Sequence, residues 1–264
     1  MAQASRGERC SAVVCALAST LALSAFARAD HVHQFEPTDL DLQPPGMLQL
    51  DLQGGVVHGS SAWRAIVPDF EVNLGLSSRV ELDVDGAVGL ESVDGKAFAL
   101  KRVVADDLWI SSKVGFFSHH DDGEKRSWAF GLQLGPKVPV AEGARGAGFE
   151  ALALVGHNVR RVHLVFSAGG LVDPGAEVSS GRPVGVEAGA DLNLDLNEDD
   201  TFSLLGELGG IAYLSDDPGQ LAASIGIQWS PSELLDLSLV AVVGAGGADR
   251  YGLMLGVSPK VRLW

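Results

Sequence analysis

Carboxylates recur at every second position along several stretches of this chain. In DLNLDLNEDD, residues 191–200, Asp191, Asn193 and Asp195 share one parity, and Leu192, Leu194 and Leu196 share the other. DFEVNL places Asp69 and Glu71 opposite Phe70, Val72 and Leu74, and RVELDVD places Glu81, Asp83 and Asp85 opposite Val80, Leu82 and Val84. Side chains at i and i+2 stand on one face of a strand. A row of acids there can attract cations and repel anions. By the same parity Asp51, Asp107, Glu187, Glu207 and Asp236 join the acidic face, against the basic residues Arg79, Lys113, Lys137, Lys260 and Arg262.

Other chemistry is harder to sustain. His119-His120-Asp121-Asp122 is the densest group of metal-ligand types, but its spacing matches no established metal motif and it reads as a hydrophilic turn before Gly123-Glu124-Lys125-Arg126. His31 and His33 lie in a leading segment that runs into Pro44-Pro45. His157 and His163 flank NVRR with no serine in a nucleophile motif nearby, so a barrel-type lipid hydrolase is the weaker reading. Gly-rich VGAGGADRYG, residues 243–252, follows a strand but opens no helix, which fails the phosphate-loop pattern. No catalytic residue, metal site or cofactor is assigned.

The chain's beginning places these residues outside the cytoplasm. Arg6 and Arg9 precede an uncharged run from Ser11 to Ala27, and Ala27-Arg28-Ala29 offers a cleavage site, so residues 1–29 read as a secretory signal peptide. Both cysteines, Cys10 and Cys15, lie within it, leaving a mature chain without thiols. The formal net charge of −15 becomes −17 once three basic residues and one acidic residue leave with the signal. That balance excludes nucleic acid as a partner.

Period two dominates from residue 47 onward, and 33 of 264 residues are glycine. The alternation gives twelve strands, at 47–58, 65–76, 79–91, 106–117, 127–138, 149–157, 162–171, 184–196, 201–213, 220–230, 235–244 and 251–264. Tight turns such as Ser77-Ser78 and 158–161 alternate with longer links such as 92–105 and 172–183, and 118–126 is the longest link on the tight-turn side. A soluble β-sandwich also alternates. Strands of 11–13 residues, an even count and aromatics near strand ends favour a transmembrane antiparallel up-and-down β-barrel. Phe116, Trp128, Phe202, Trp229 and Trp264 fall at the tight-turn end, and Trp63, Phe149, Tyr213 and Tyr251 at the long-loop end. On this reading 30–46 is a periplasmic N-terminal segment and 47–264 the outer-membrane barrel. Leu192, Leu194 and Leu196 then face lipid and the acidic parity faces a wet lumen.

PDFEVNLGLSSRVELDV (68–84), DLWISSKVGF (107–116) and LGPKVPV (134–140) resemble a family of Gram-negative outer-membrane barrels labelled "meta-pathway of phenol degradation" and described as transporter-like. Glu71, Gly75, Glu81, Asp107 and Lys113 occupy the shared positions. Ser111-Ser112 stands where the family has Gly or Ala, and Leu263 rather than Trp264 is in phase with Leu253, Leu255, Val257 and Val261. The resemblance implies a barrel, and more weakly transport.

Two functions remain open. One is a narrow passive channel or uptake barrel for small neutral or cationic solutes, aromatic or hydrophobic ones included, with a constriction drawn from Asp69, Glu71, Glu81, Asp83, Asp85, Lys113, Glu187, Asp191, Asp195 and Glu207. The other is a closed barrel with a structural, adhesive or loop-based binding role. Outer-membrane lipid, lipopolysaccharide and the barrel-assembly machinery are the expected partners. Closure requires 47–58 to pair with 251–264, which predicts a seam pair between Asp51 and Lys260 or Arg262. The hairpin through Ser77-Ser78 predicts that Glu71 lies opposite Asp83 or one step from it.

Overall fold

The computed structural model describes residues 42–59, 62–92, 100–105, 108–121, 126–140, 146–172, 184–214, 219–246 and 251–264. Thirteen strands occur among them: β1 (Met47–His58), β2 (Trp63–Ser77), β3 (Val80–Ser92), β4 (Leu100–Ala105), β5 (Leu108–Asp121), β6 (Arg126–Val138), β7 (Gly148–Val159), β8 (Val162–Val172), β9 (Val184–Asp195), β10 (Phe202–Tyr213), β11 (Gln220–Ser232), β12 (Leu235–Gly246) and β13 (Tyr251–Arg262). Consecutive strands from β5 through β13 pair antiparallel with one another, and β1–β2, β2–β3 and β3–β5 continue the circuit. The β1–β13 ladder closes it, with Gln49 opposite Lys260 and Val56 opposite Leu253. The wall is therefore a closed twelve-stranded barrel. Closure leaves the twelve-stranded wall without an edge strand, the condition for a β-structure to stand in hydrocarbon.

The thirteenth strand corrects the expected loop at 92–105. β4 pairs with the far end of β3, Val88 opposite Ala105 and Glu91 opposite Arg102, while β5 pairs with the near end, Asp85 opposite Trp109. β4 and β5 thus lie end to end along one neighbour and raise the wall on the long-loop side. The 118–126 link is also shorter than expected, because β5 continues through 118–121 and β6 begins at Arg126.

Alternation along the ladders is interrupted at register shifts in β2 (Ile66/Asp69 and Gly75/Ser77), β5 (Gly115/Phe117), β11 (Trp229/Ser232) and the short β3–β4 ladder (Glu91/Ser92). Arg64 and Ile66 point inward, the register then shifts between Ile66 and Asp69, and Asp69, Glu71 and Asn73 resume the inward face. Exposed Val67 occupies the shift. β7, whose parity is ambiguous in sequence, turns Leu152 and Leu154 inward, where they pack with Val165.

The outer surface is apolar. Ile225, Ile227, Leu208, Leu253 and Leu255 are each more than half exposed. A soluble monomer rarely carries a continuous apolar surface of this kind, and lipid removes the penalty. A twelve-residue strand such as β9 is roughly 40 Å long. At the usual barrel tilt it spans about 30 Å of membrane. Aromatics stack in pairs near both rims. Phe202 lies on Trp229 at 6.2 Å, and Trp128 on His157 at 3.7 Å, near the tight turns. Tyr251 lies on His58 at 5.1 Å, with Trp63 edge-on, near the long loops. Tyr213 departs from this belt. Its register opposite Gly185 turns it to the lumen side, where its hydroxyl oxygen accepts from Gln220 Nε2 at 3.4 Å.

Both ends of the wall meet at Gly46. Its φ of 77° suits glycine, its carbonyl accepts from the Leu263 N–H at 2.8 Å, and a Cβ there would press on the Trp264 ring. The β1–β13 register is directly testable because the expected mature chain has no thiol. Oxidation should crosslink the Gln49→Cys/Lys260→Cys double variant and spare Gln49→Cys/Arg262→Cys. The reverse preference on non-reducing gels would show a two-residue slip.

Candidate functional site

The inward face concentrates charge at mid-height. On β2 and β3, Asn73 lies opposite Asp83, Glu71 opposite Asp85, and Asp69 opposite Ala87. Glu71 and Asp83 are thus one step apart along the ladder. Like charges so placed repel unless a counter-charge intervenes. The counter-charge is Lys113, which the β3–β5 register sets opposite Glu81. Its Nζ lies 3.4 Å from Glu81 Oε1, 3.9 Å from Glu71 Oε1 and 3.9 Å from Asp83 Oδ2. Asp83 Oδ2 also accepts from the Ser111 hydroxyl at 3.3 Å, and Gln133 Nε2 donates to Ser111 Oγ at 3.1 Å. Ser111, where the resembled family has a smaller residue, therefore has a definite task here.

A second acidic group stands on the facing wall. Asp191 and Glu207 are direct cross-strand partners on β9 and β10, and Ser224 on β11 donates to Glu207 Oε2 at 3.0 Å. Nearer the tight turns, Asp195 bridges His163 Nε2 at 2.9 Å and the Ser203 hydroxyl at 3.0 Å. Serine and histidine both engage the carboxylate, so the serine is not activated by the histidine as a nucleophile would be. Glu187 is inward and buried, farther toward the long loops, opposite Ile211 and Gly169.

Other expected residues are placed differently. Lys260 lies 2.9 Å from Asp236, while Asp51 accepts from Gln49 Nε2 at 2.9 Å and Asn73 Nδ2 at 3.0 Å. The lysine is thus taken by the acid on β12, and its expected pairing with Asp51 is replaced. Arg262, opposite Met47, is exposed at the rim. Arg79 sits in the β2–β3 turn, exposed, and does not join the lumen. Lys137 points inward over the Trp109 ring at 5.6 Å. Asp107 and His120–Asp122 lie at positions whose side chains are outside the described residues, and His119 stacks on Phe117 at the outer surface.

These walls enclose a cavity of about 370 Å³. Asp51, Asp69, Glu71, Glu81 and Lys113 line one side, Asp191, Glu207 and Asp236 the other, and Val165, Leu205, Val240, Val242 and Met254 add apolar surface between them. Toward the long loops, Val57, Ile66, Ala87 and Met254 pack with Val240 and Val242 into an apolar layer.

Gln43 also lines the cavity, and no spacing in the sequence announced it. Its N–H donates to Glu81 Oε2 and its side-chain amide donates to Gln49 Oε1 at 2.9 Å. The Gly46 N–H donates to the Gly75 carbonyl at 2.8 Å. Residues 42–46 therefore fold into the tight-turn mouth. Gly75 admits them, since a Cβ there would overlap the carbonyl oxygens of Gln43 and Pro44.

No family model matches this chain, nor does any curated protein. Solved structures of outer-membrane barrels are similar to this chain, two of them at the same TM-score. One is an outer-membrane channel from Pseudomonas putida F1, with TM-score 0.58 and 11% identity over 86% of this chain and 100% of that one. The other is the NanC porin, with TM-score 0.58 and 11% identity over 80% of this chain and 100% of that one. The fold is that of the Gram-negative outer-membrane barrels.

Replacing Gly75 by Val should expel residues 42–46 from the mouth while the barrel stays closed. A cysteine introduced at Gln43 should then react with a polar maleimide faster in the Gly75→Val background than without it; equal rates would show that the segment is not held there.

Proposed function

We propose that this protein is a narrow passive channel of the outer membrane for small neutral or cationic solutes. The observation that carries the reading is the cavity with carboxylates on facing walls, in a barrel whose outer surface suits lipid. Lumen carboxylates focus a negative potential where water is confined, which raises local cation concentration and excludes anions. Export by residues 1–29, a periplasmic segment at 30–46 and a barrel over 47–264 belong to the same proposal. So do contact with lipopolysaccharide and delivery by the barrel-assembly machinery. The resemblance to the phenol meta-pathway family adds aromatic solutes. Its described motif residues, Glu71, Gly75, Glu81 and Lys113, are neighbours in the lumen.

A closed barrel with a binding role is the second reading. It is favoured by the apolar layer around Val57, Ile66 and Met254 and by the seating of residues 42–46 in the mouth. Planar bilayers separate the two. The channel should give stepwise, cation-preferring currents, and the double variant Glu71→Gln/Asp83→Asn should move the reversal potential toward zero while the protein keeps its heat-modifiable migration. Persistent silence would favour the closed barrel, and anion preference in the unmodified protein would sink the acidic constriction.

A further inference from the structure

Lys113 is a buried cation in a lumen rich in acids. Its side chain is 5% exposed, with Glu81 at 3% and Asp83 at 2%. Three carboxylates from β2 and β3 converge on one ammonium from β5, and Glu81 alone of the three lies within hydrogen-bond distance. A fixed ammonium brings one positive charge and three donors to the carboxylates around it.

A conducting constriction must bind its ions strongly enough to admit them and weakly enough to release them. Three carboxylates withdrawn from bulk water, with no fixed cation among them, would hold a divalent cation or a primary ammonium too firmly to release it. We propose that Lys113 sets the selectivity of the constriction as a tethered counter-ion. It fills the position a permeant cation would otherwise take among Glu71, Glu81 and Asp83, and so keeps the acidic layer attractive to cations without trapping them. This inference rests on the channel reading. Its specific content is that the vacated position is a cation site.

The test compares the wild type with Lys113→Met, Lys113→Arg and Lys113→Met/Glu81→Gln, using n-butylammonium and Ca²⁺ as probes. Current through Lys113→Met should be blocked by either probe at concentrations at least about tenfold below those that block the wild type, as expected when a fixed charge no longer competes for the site. The block should vanish in Lys113→Met/Glu81→Gln, and Lys113→Arg should stay near the wild type. In detergent, both probes should raise the temperature at which Lys113→Met loses its compact electrophoretic form and leave the wild type unmoved. Equal block in the two proteins, with no thermal shift in either, overturns the proposal. Absence of current in the wild type, with a probe-dependent thermal shift confined to Lys113→Met, keeps the cation site and rejects the channel. Should Lys113→Met fail to fold, Glu81→Gln/Asp83→Asn decides. With Lys113 retained and two acids neutralised, the reversal potential should move toward anion preference, and an unchanged potential rejects the role.

Discussion

No backbone N–H or C=O can be left unpaired in hydrocarbon, and this constraint underlies the whole structure. Each such group costs several kcal/mol where no water can reach it. A sheet meets the constraint only by closing on itself. Closure fixes the β1–β13 ladder, and through it the register of every strand around the wall. Because side chains alternate strictly along a strand, register decides which residues meet lipid and which meet water. Leu192 and Leu194 stand outside for the same reason that Asp191 and Asn193 stand inside.

The interior follows a different balance. Several inward carboxylates are tolerable because a partner meets them. Lys113 answers Glu71, Glu81 and Asp83, and Ser224 answers Glu207. Gln49 and Asn73 answer Asp51. An ion network with one buried cation is asymmetric in energy. Forming it adds little net stability, but removing one partner costs about 3–5 kcal/mol because the others stay buried. The polar layer therefore fixes the geometry of the lumen more than it strengthens the fold, while the apolar layer around Ile66 and Met254 supplies ordinary burial.

Most of the wall was legible in sequence because period two is a local signal. β1 and β9 were bounded within a residue, and the parity of Glu71, Glu81, Asp83, Asp191 and Glu207 followed directly. What escaped depends on contacts distant in the chain. Nothing near residue 113 announces that its ammonium will sit among residues 71, 81 and 83; the β3–β5 register does that. Lys260 was expected opposite Asp51 across the seam, and only the full lumen geometry assigns it to Asp236. The Ile66–Asp69 shift breaks strict alternation, so the inward positions Arg64 and Ile66 do not follow from Asp69 by counting in twos. In Leu100–Ala105 the adjacent Lys101 and Arg102 and the adjacent Val103 and Val104 break period two, and the segment becomes a strand because β3 extends far enough to pair with it. Residues 42–46 resemble a tail, and their place in the mouth is set by the absence of a side chain at Gly75.

The meeting of Gly46 with Leu263 and Trp264 has a consequence for the order of events in folding. The two strands that complete the ring are the first and the last, their paired residues 193 to 215 positions apart in the chain. Hairpins such as β7–β8 can form from neighbours, but the seam must wait until the final strand has been made and brought beside the first. Until then both β1 and β13 present open edges. An unfinished chain therefore cannot rest partly inserted in hydrocarbon at low cost.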